Sequence, residues 1–208
     1  MDVREAIQKR RSIRRFKPDT VSDELIQQIL ESARLAPSGS NTQPWRFIVI
    51  KDAETRQKLQ TASYNQRHVG QAPVIIACCA DIKAFGEFPE RIDELIAAGA
   101  LPAKTREVFV PSLKKGGMSA DIKWHLQIAA TGNTDIAIEH MVLQAVELGL
   151  GTCWVRWFDD NKVKEILEIP KNIDIIALLP IGYPAEDPPQ RPRFDLQKIV
   201  YYEKYGAS

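Results

Sequence analysis

From about Ser119 to Leu148 the chain carries a long helical pattern whose apolar residues do not keep to one side. Trp124, Leu126, Ile128, Ile136, Ile138, Met141, Val142, Ala145 and Leu148 surround much of the circumference. A helix packed on one side only needs a single apolar stripe, so this one requires burial on two sides. A second subunit would supply the other side. Within the pattern, Gly132-Asn133-Thr134-Asp135 predicts an interruption, with Asn133 or Thr134 capping a restart. The pattern stops at Gly149-Leu150-Gly151, where a glycine takes the left-handed position that ends many helices, and Thr152 to Trp157 reads as the following strand. A second glycine two residues after the first permits a close backbone approach to a planar ligand.

The other unusual stretch is Ala36-Pro37-Ser38-Gly39-Ser40-Asn41-Thr42-Gln43-Pro44-Trp45-Arg46-Phe47. Before it, Leu25, Ile26, Ile29, Leu30 and Ala33 recur at helical spacing, with Ser22 as N-cap, Val21 positioned to pack on Ile26, and Pro37 as the stop. After it, Phe47-Ile48-Val49-Ile50 is a short continuous apolar run, which predicts a strand buried on both faces. The hydroxyl and amide side chains between them can close a turn, or can hydrogen-bond a flat polar ligand.

Lys9-Arg10-Arg11-Ser12-Ile13-Arg14-Arg15-Phe16-Lys17 concentrates positive charge in a protein whose formal net charge is only +1. With so little overall charge there is no global field to draw nucleic acid or an anionic membrane, and an anion site must be local. The basic run follows a first helix over roughly residues 2 to 11, where Asp2 and Glu5 stand in a capping-box relation. Ser12, Ile13 and Phe16 interleave with the arginines, as in a folded segment with alternate side chains buried. Arg10, Ser12 and Arg14 can offer the converging charge-assisted donors that a phosphate monoester requires.

Further along, Asp52 to about Ala62 reads as an amphipathic helix, Val74 to Ala80 as a central strand, and Ile175 to Gly182 as another, with a short helix from Asp160 ended by Pro170. His68 reads as a loop histidine rather than a base. The three cysteines have no metal-ligand spacing, and Cys78 and Cys79 would face opposite ways along a strand. They are expected to be buried reduced thiols of a cytoplasmic protein, with no metal site. The amino terminus lacks the basic flank and apolar core of a secretory signal, and the apolar runs are too short to span a membrane. With 208 residues, 44% apolar and 26% charged, the chain predicts one globular domain over 1–208.

Taken together, Pro37-Ser38 through Gln43-Pro44-Trp45, Arg10 to Phe16, Gly149 to Trp154, Pro180 to Ala185 and Arg191-Pro192-Arg193 resemble, in order and separation, the motifs of the FMN-dependent nitroreductase superfamily. The resemblance runs from residue 4 to about residue 200 and lapses over about 81–118, a region that is variable in that family.

The resemblance implies an α+β fold with a mainly antiparallel central sheet flanked by helices, and an intertwined homodimer with active sites shared between chains. It implies FMN as cofactor, NADH or NADPH as co-substrate, and Arg10, Arg11, Ser12, Arg14, Pro37, Ser38, Asn41, Gln43, Asn65, Gln66, Leu150, Gly151, Thr152, Arg191 and Arg193 as cofactor-binding residues. Arg10, Ser12 and Arg14, joined by Arg191 or Arg193, fall on the phosphate. An amide from Gln66 or Asn65 falls on the pyrimidine edge, and Leu150 to Thr152 lie against the ring with a backbone N–H near N5. The 81–118 excursion would act as a lid, with Phe85, Phe88, Phe109 and Met118 as its candidates. The tail from Val200 to Tyr205 can add an edge strand, in this chain or its partner.

The implied reaction is a ping-pong transfer from NAD(P)H to a small-molecule acceptor such as a nitroaromatic or quinone, with no side chain acting as catalytic acid or base. The alternatives are reductive dehalogenation or flavin fragmentation on the same scaffold, and a non-enzymatic module whose basic run binds nucleic acid.

Overall fold

The apolar run around Ile76 becomes the interior strand of a four-stranded sheet. In the computed structural model, which describes residues 1–108 and 120–206, β2 (Val74–Asp81) pairs antiparallel with β1 (Trp45–Ile50) and with β4 (Ile173–Gly182). The short β3 (Gly151–Thr152) completes the order β1-β2-β4-β3, again antiparallel. Side chains of a strand alternate between faces. Ile76, Cys78 and Ala80 therefore pack toward α2 (Asp23–Arg34) and α6 (Ala120–Glu147), while Ile75, Ala77 and Cys79 pack toward α3 (Ala53–Ala62), α4 (Arg67–Gln71) and α7 (Asp160–Leu167). Helices thus cover both faces of an antiparallel sheet, the α+β arrangement anticipated from the sequence.

Local signals place most element ends. Asp2, Ser22, Asp52 and Asp159 each accept a backbone N–H three residues on, starting α1 (Val3–Lys9), α2, α3 and α7. Gly149 ends α6 with φ +72. No helix among the described residues is long and apolar enough to cross a membrane.

Several expectations need correction. The strand containing Phe47 to Ile50 is an edge strand, so Phe47, Ile48 and Val49 are only half-buried. α6 runs unbroken through Gly132–Asp135. Gly132 costs a helix about 1 kcal/mol relative to alanine, but Thr134, Ala137, Ile138 and Met141 are fully buried around it and hold the helix in place. The strand expected over Thr152–Trp157 stops at Thr152. Beyond it only Val155 bridges to Leu178, because Pro180 of β4 stands opposite Cys153 and has no N–H to donate across the ladder. The helix expected around Phe85 to Ile96 divides into a 3-10 turn (Ile82–Glu87) and α5 (Phe88–Ala97). Within this chain the tail from Val200 to Tyr205 forms no strand and is exposed.

Two predictions arise here. A β-carbon on Gly182 would lie 2.6 Å from Pro73 Cδ and 2.8 Å from its Cγ, a rigid ring that cannot swing aside. Gly182→Ala is expected to destabilise the fold by about 1–3 kcal/mol, read as a lower urea midpoint. The cysteines are free and buried, and burial raises all of their thiol pKa values, Cys79 to about 12. Native protein should therefore resist a thiol reagent at neutral pH, whereas denatured protein should titrate three thiols.

Candidate functional site

The two distant ends of the chain meet beside β3. Ser12 bridges in parallel to Thr152, and the Ile13 N–H donates to the Thr152 carbonyl at 2.9 Å. Phe16 bridges to Pro184, and the Ala185 N–H donates to the Arg15 carbonyl. Glu186 clamps the turn: its carboxylate accepts from the Arg14 N–H at 2.6 Å and from the Arg15 N–H and Nε at 3.2 Å. The Arg11 guanidinium is tied to the Pro188, Gln8 and Arg10 carbonyls. That arrangement joins the basic run to the proline-rich tail.

The charges near this junction act on common neighbours. Burial raises the Cys153 thiol pKa, while Arg14 and Arg191 oppose that rise and Glu186 adds to it. Burial lowers the His68 pKa, Arg14 lowers it further, and Glu186 opposes. Arg14 and Arg191, 177 residues apart in sequence, thus both act on the Cys153 thiol in the folded chain. Arg10 turns the other way, lying 4.0 Å from Glu139 of α6, whose other oxygen accepts from Trp154 Nε1. Arg193 folds onto the carbonyls of Arg191 and Pro192.

Glu186 has a carboxyl pKa below its ordinary value, held there first by the Arg14 N–H, with Arg15 adding to it against a smaller effect of burial. A depressed carboxyl contributes stability that is complete above its unfolded pKa and lost as pH falls through the lowered folded value. Glu186→Gln should flatten that acid limb of a stability–pH curve while leaving the neutral limb's shape unchanged, as urea midpoints between pH 3 and 7 would register.

The loop Pro37–Gln43 is somewhere else. It enters β1, whose first residue pairs with Ala80 at the far end of β2, whereas Gly151 and Thr152 pair with β4 opposite the Val74 end. At roughly 3.3 Å per residue these ends of β2 lie about 20 Å apart. The loop is knit to itself: Ser38 Oγ accepts from the Gln43 N–H at 3.0 Å, Thr42 Oγ1 donates to the Gly39 carbonyl, and Gly39 N–H reaches Asn133 Oδ1. Ser40, Asn41 and Gln43 all have φ near +50, at 51, 55 and 46. Left-handed non-glycine residues carry strain, and a cluster of them points to function. Tyr64 and Asn65 repeat the feature at φ 53 and 60, in the other loop singled out from the sequence.

Gln66 spends both amide hydrogens on the carbonyls of Ser63 and Trp157, at 3.0 and 2.8 Å, which leaves its carbonyl oxygen available to a ligand. Leu150 turns its side chain into the core and gives its N–H to the Ala145 carbonyl. The close approach that requires Gly151 is to Ile13, whose Cγ1 would sit 2.6 Å from an added β-carbon. His68 is buried in α4, not in a loop, with Nε2 lacking a partner. Phe85 and Phe88 flank the start of α5, while Phe109 and Met118 lie outside the described residues.

Sequence spacing gave no sign of Glu186 or Glu139, because each acts through a fold-level juxtaposition. Among the described residues no cluster of His, Cys, Asp and Glu could hold a metal ion.

A helix-flanked antiparallel sheet, with a basic N-terminal arm locked to a C-terminal tail across a glycine-led strand, defines a nitroreductase-like fold. The model of the nitroreductase family matches residues 7–183, and the chain belongs to that family. It is 34% identical over 206 residues to an NADH dehydrogenase of Thermus thermophilus, covering 97% of this chain and 96% of the relative. It is 27% identical to an NAD(P)H-dependent FMN reductase of Bacillus subtilis, covering 98% of this chain and 74% of that one. An FMN complex from Exiguobacterium sibiricum, assigned to the nitroreductases, superposes with a TM-score of 0.83 at 27% identity over 98% of each chain.

Proposed function

We propose that the protein is a cytoplasmic, homodimeric oxidoreductase that uses FMN to pass reducing equivalents from NADH or NADPH to nitroaromatic, quinone or similar acceptors. The observation that carries this reading is the junction of the basic arm with the proline-rich tail beside Thr152, where Ser12 bridges to Thr152 and Phe16 to Pro184, a place where the family's cofactor phosphate would lie. The residues present fit that group: Arg14 and Arg191 are exposed and bear their charge on the two segments that meet at this junction, and Glu186 holds the backbone of the arm there. FMN, when bound, supplies the acceptance and donation of hydride.

The chain's own residues bind and orient. Ser12, Arg14 and Arg191 hold the phosphate, with Arg10 released from Glu139 to join them. Gln66 offers its free carbonyl oxygen to a ring N–H, and Asn65 adds an amide beside it. Gly151 or Thr152 contributes a backbone N–H near the reacting edge, since that of Leu150 is committed to Ala145. Pro37, Ser38, Asn41 and Gln43 stand too far along the sheet to join this cluster from the same chain, and a second copy brings its loop over the ring. The uncovered side chains of Trp124, Ile128 and Ile136 on α6 supply an apolar surface for that second copy. No side chain is assigned as acid or base.

The purified protein should be yellow. It should oxidise NADH or NADPH faster when a nitroaromatic or quinone is added. Colourless protein that binds RNA or DNA in a salt-sensitive way would contradict the reading, as would flavoprotein inert toward both nucleotides.

A further inference from the structure

The residues assigned above to FMN leave the adenosine half of NADH or NADPH without a contact. Beside Gln66 stands a pair of exposed aromatic side chains. Tyr64 and Trp157 have ring centroids 5.1 Å apart and planes tilted by 39°, and are 54% and 71% exposed. They sit on two loops that are tied together: Gln66 Nε2 donates to the Ser63 and Trp157 carbonyls at 3.0 and 2.8 Å, and the Asp159 N–H donates to the Ala62 carbonyl at 2.8 Å. Tyr64 holds φ +53, a left-handed conformation that strains a bulky residue. A pair whose backbone is fixed in this way loses less entropy when a ligand lands on it. The pair also stands apart from the surface offered to a second copy. Tyr64 follows α3 and Trp157 precedes α7, helices that cover the face of the sheet away from α6. Trp154, by contrast, is already engaged: its Nε1 donates to Glu139, and the Arg156 guanidinium lies 5.2 Å from its ring centre.

We propose that Tyr64 and Trp157 form a stacking shelf for the adenine of the reduced dinucleotide, with the nicotinamide reaching the flavin past Gln66. The shelf deepens the function proposed above and rests on it. An adenine presents a flat π face, and stacking on an aromatic side chain holds a base without reading its hydrogen-bonding edge. The shelf adjoins the residue that offers its carbonyl oxygen to a flavin ring N–H, so a ligand spanning flavin and shelf needs two flat groups on a flexible link. A nicotinamide–adenine dinucleotide is such a ligand, whereas a single-ring acceptor is not. Trp157 is the larger and more exposed of the two rings and carries most of the stacking.

The test begins with calorimetric binding of ADP-ribose, which carries the adenosine and pyrophosphate but no nicotinamide, to the purified FMN-loaded protein. Trp157→Ala should weaken that binding roughly fivefold or more, and Trp157→Phe should restore most of it. The Trp157 carbonyl that receives the Gln66 amide is backbone and survives both substitutions. In turnover, Trp157→Ala should lower kcat/KM for NADH by the same factor and leave that for reduced nicotinamide mononucleotide, which lacks the adenosine, unchanged. No binding of ADP-ribose, equal affinities in the variant and the unaltered protein, or an equal loss with the mononucleotide overturns the shelf. So does a Trp157→Ala protein that light scattering finds monomeric while the unaltered protein is dimeric, because the pair would then belong to the subunit contact. A Trp157-dependent affinity for ADP-ribose in a protein that oxidises neither nucleotide keeps the shelf and removes the proposed redox function.

Discussion

Arg14→Ala is expected to raise the dissociation constant for FMN about ten- to a hundredfold. A hydrogen bond to a charged group contributes about 1.5–3 kcal/mol, and each 1.4 kcal/mol is a factor of ten. Arg14 is well placed for that loss to fall on binding rather than folding. Its guanidinium is exposed and, among the described residues, makes a long 3.4 Å contact to the Ser12 carbonyl, while its backbone N–H, which anchors Glu186, survives the substitution. Riboflavin, which lacks the phosphate, supplies the control. Titrated by quenching of flavin fluorescence, the variant and the unaltered protein should bind riboflavin equally and FMN very differently. Equal FMN affinities would remove Arg14 from the phosphate site.

Ile128→Asp should have a larger effect, on assembly. The first half of α6 stands away from the body: Trp124 is 58% and Ile128 52% exposed, while Ala137, Ile138, Met141 and Val142 farther along are fully buried. Burying an isoleucine contributes about 1.5–3 kcal/mol, and a two-fold interface counts each substitution twice. The dimer dissociation constant should therefore rise roughly a hundred- to ten-thousandfold, before the cost of burying the new carboxylate is added. Light scattering at micromolar concentration should find monomer. In the proposed dimer the Pro37–Gln43 loop comes from the other copy, so FMN should be lost along with the dimer. A variant that stays dimeric, or a monomer that keeps tight FMN, would contradict this account.

What the sequence made legible follows the range of the forces involved. Caps act within one turn, so Asp2, Ser22 and Asp52 marked helix starts correctly, and Gly149 marked an end. Alternation along β2 put Cys78 and Cys79 on opposite faces as expected. Errors arose where a neighbour decides. Phe47 to Ile50 looked doubly buried, but burial depends on the strand's place in the sheet, and β1 has a partner on one side only. The strand after Thr152 failed because of a proline on a different strand. Gly132 to Asp135 carried local breaking signals that long-range packing of α6 overrides.

The candidate site shows the same division. Its residue types could be read from motifs, but no linear pattern tells that the basic arm joins the C-terminal tail at β3 while the loop carrying Ser38 and Asn41 enters the sheet at its opposite end. On the proposed function, that separation divides the cofactor-binding residues into two half-sites.

The most direct measurement is therefore complementation between chains. A protein carrying Arg14→Ala and one carrying Ser38→Ala with Asn41→Ala should each bind FMN weakly as homodimers. Co-expressed with different tags and purified as the heterodimer, they should regain one tight FMN site, built from the intact arm of one chain and the intact loop of the other. A heterodimer with no tight site would show that arm and loop serve the flavin from the same chain, and would contradict the shared site.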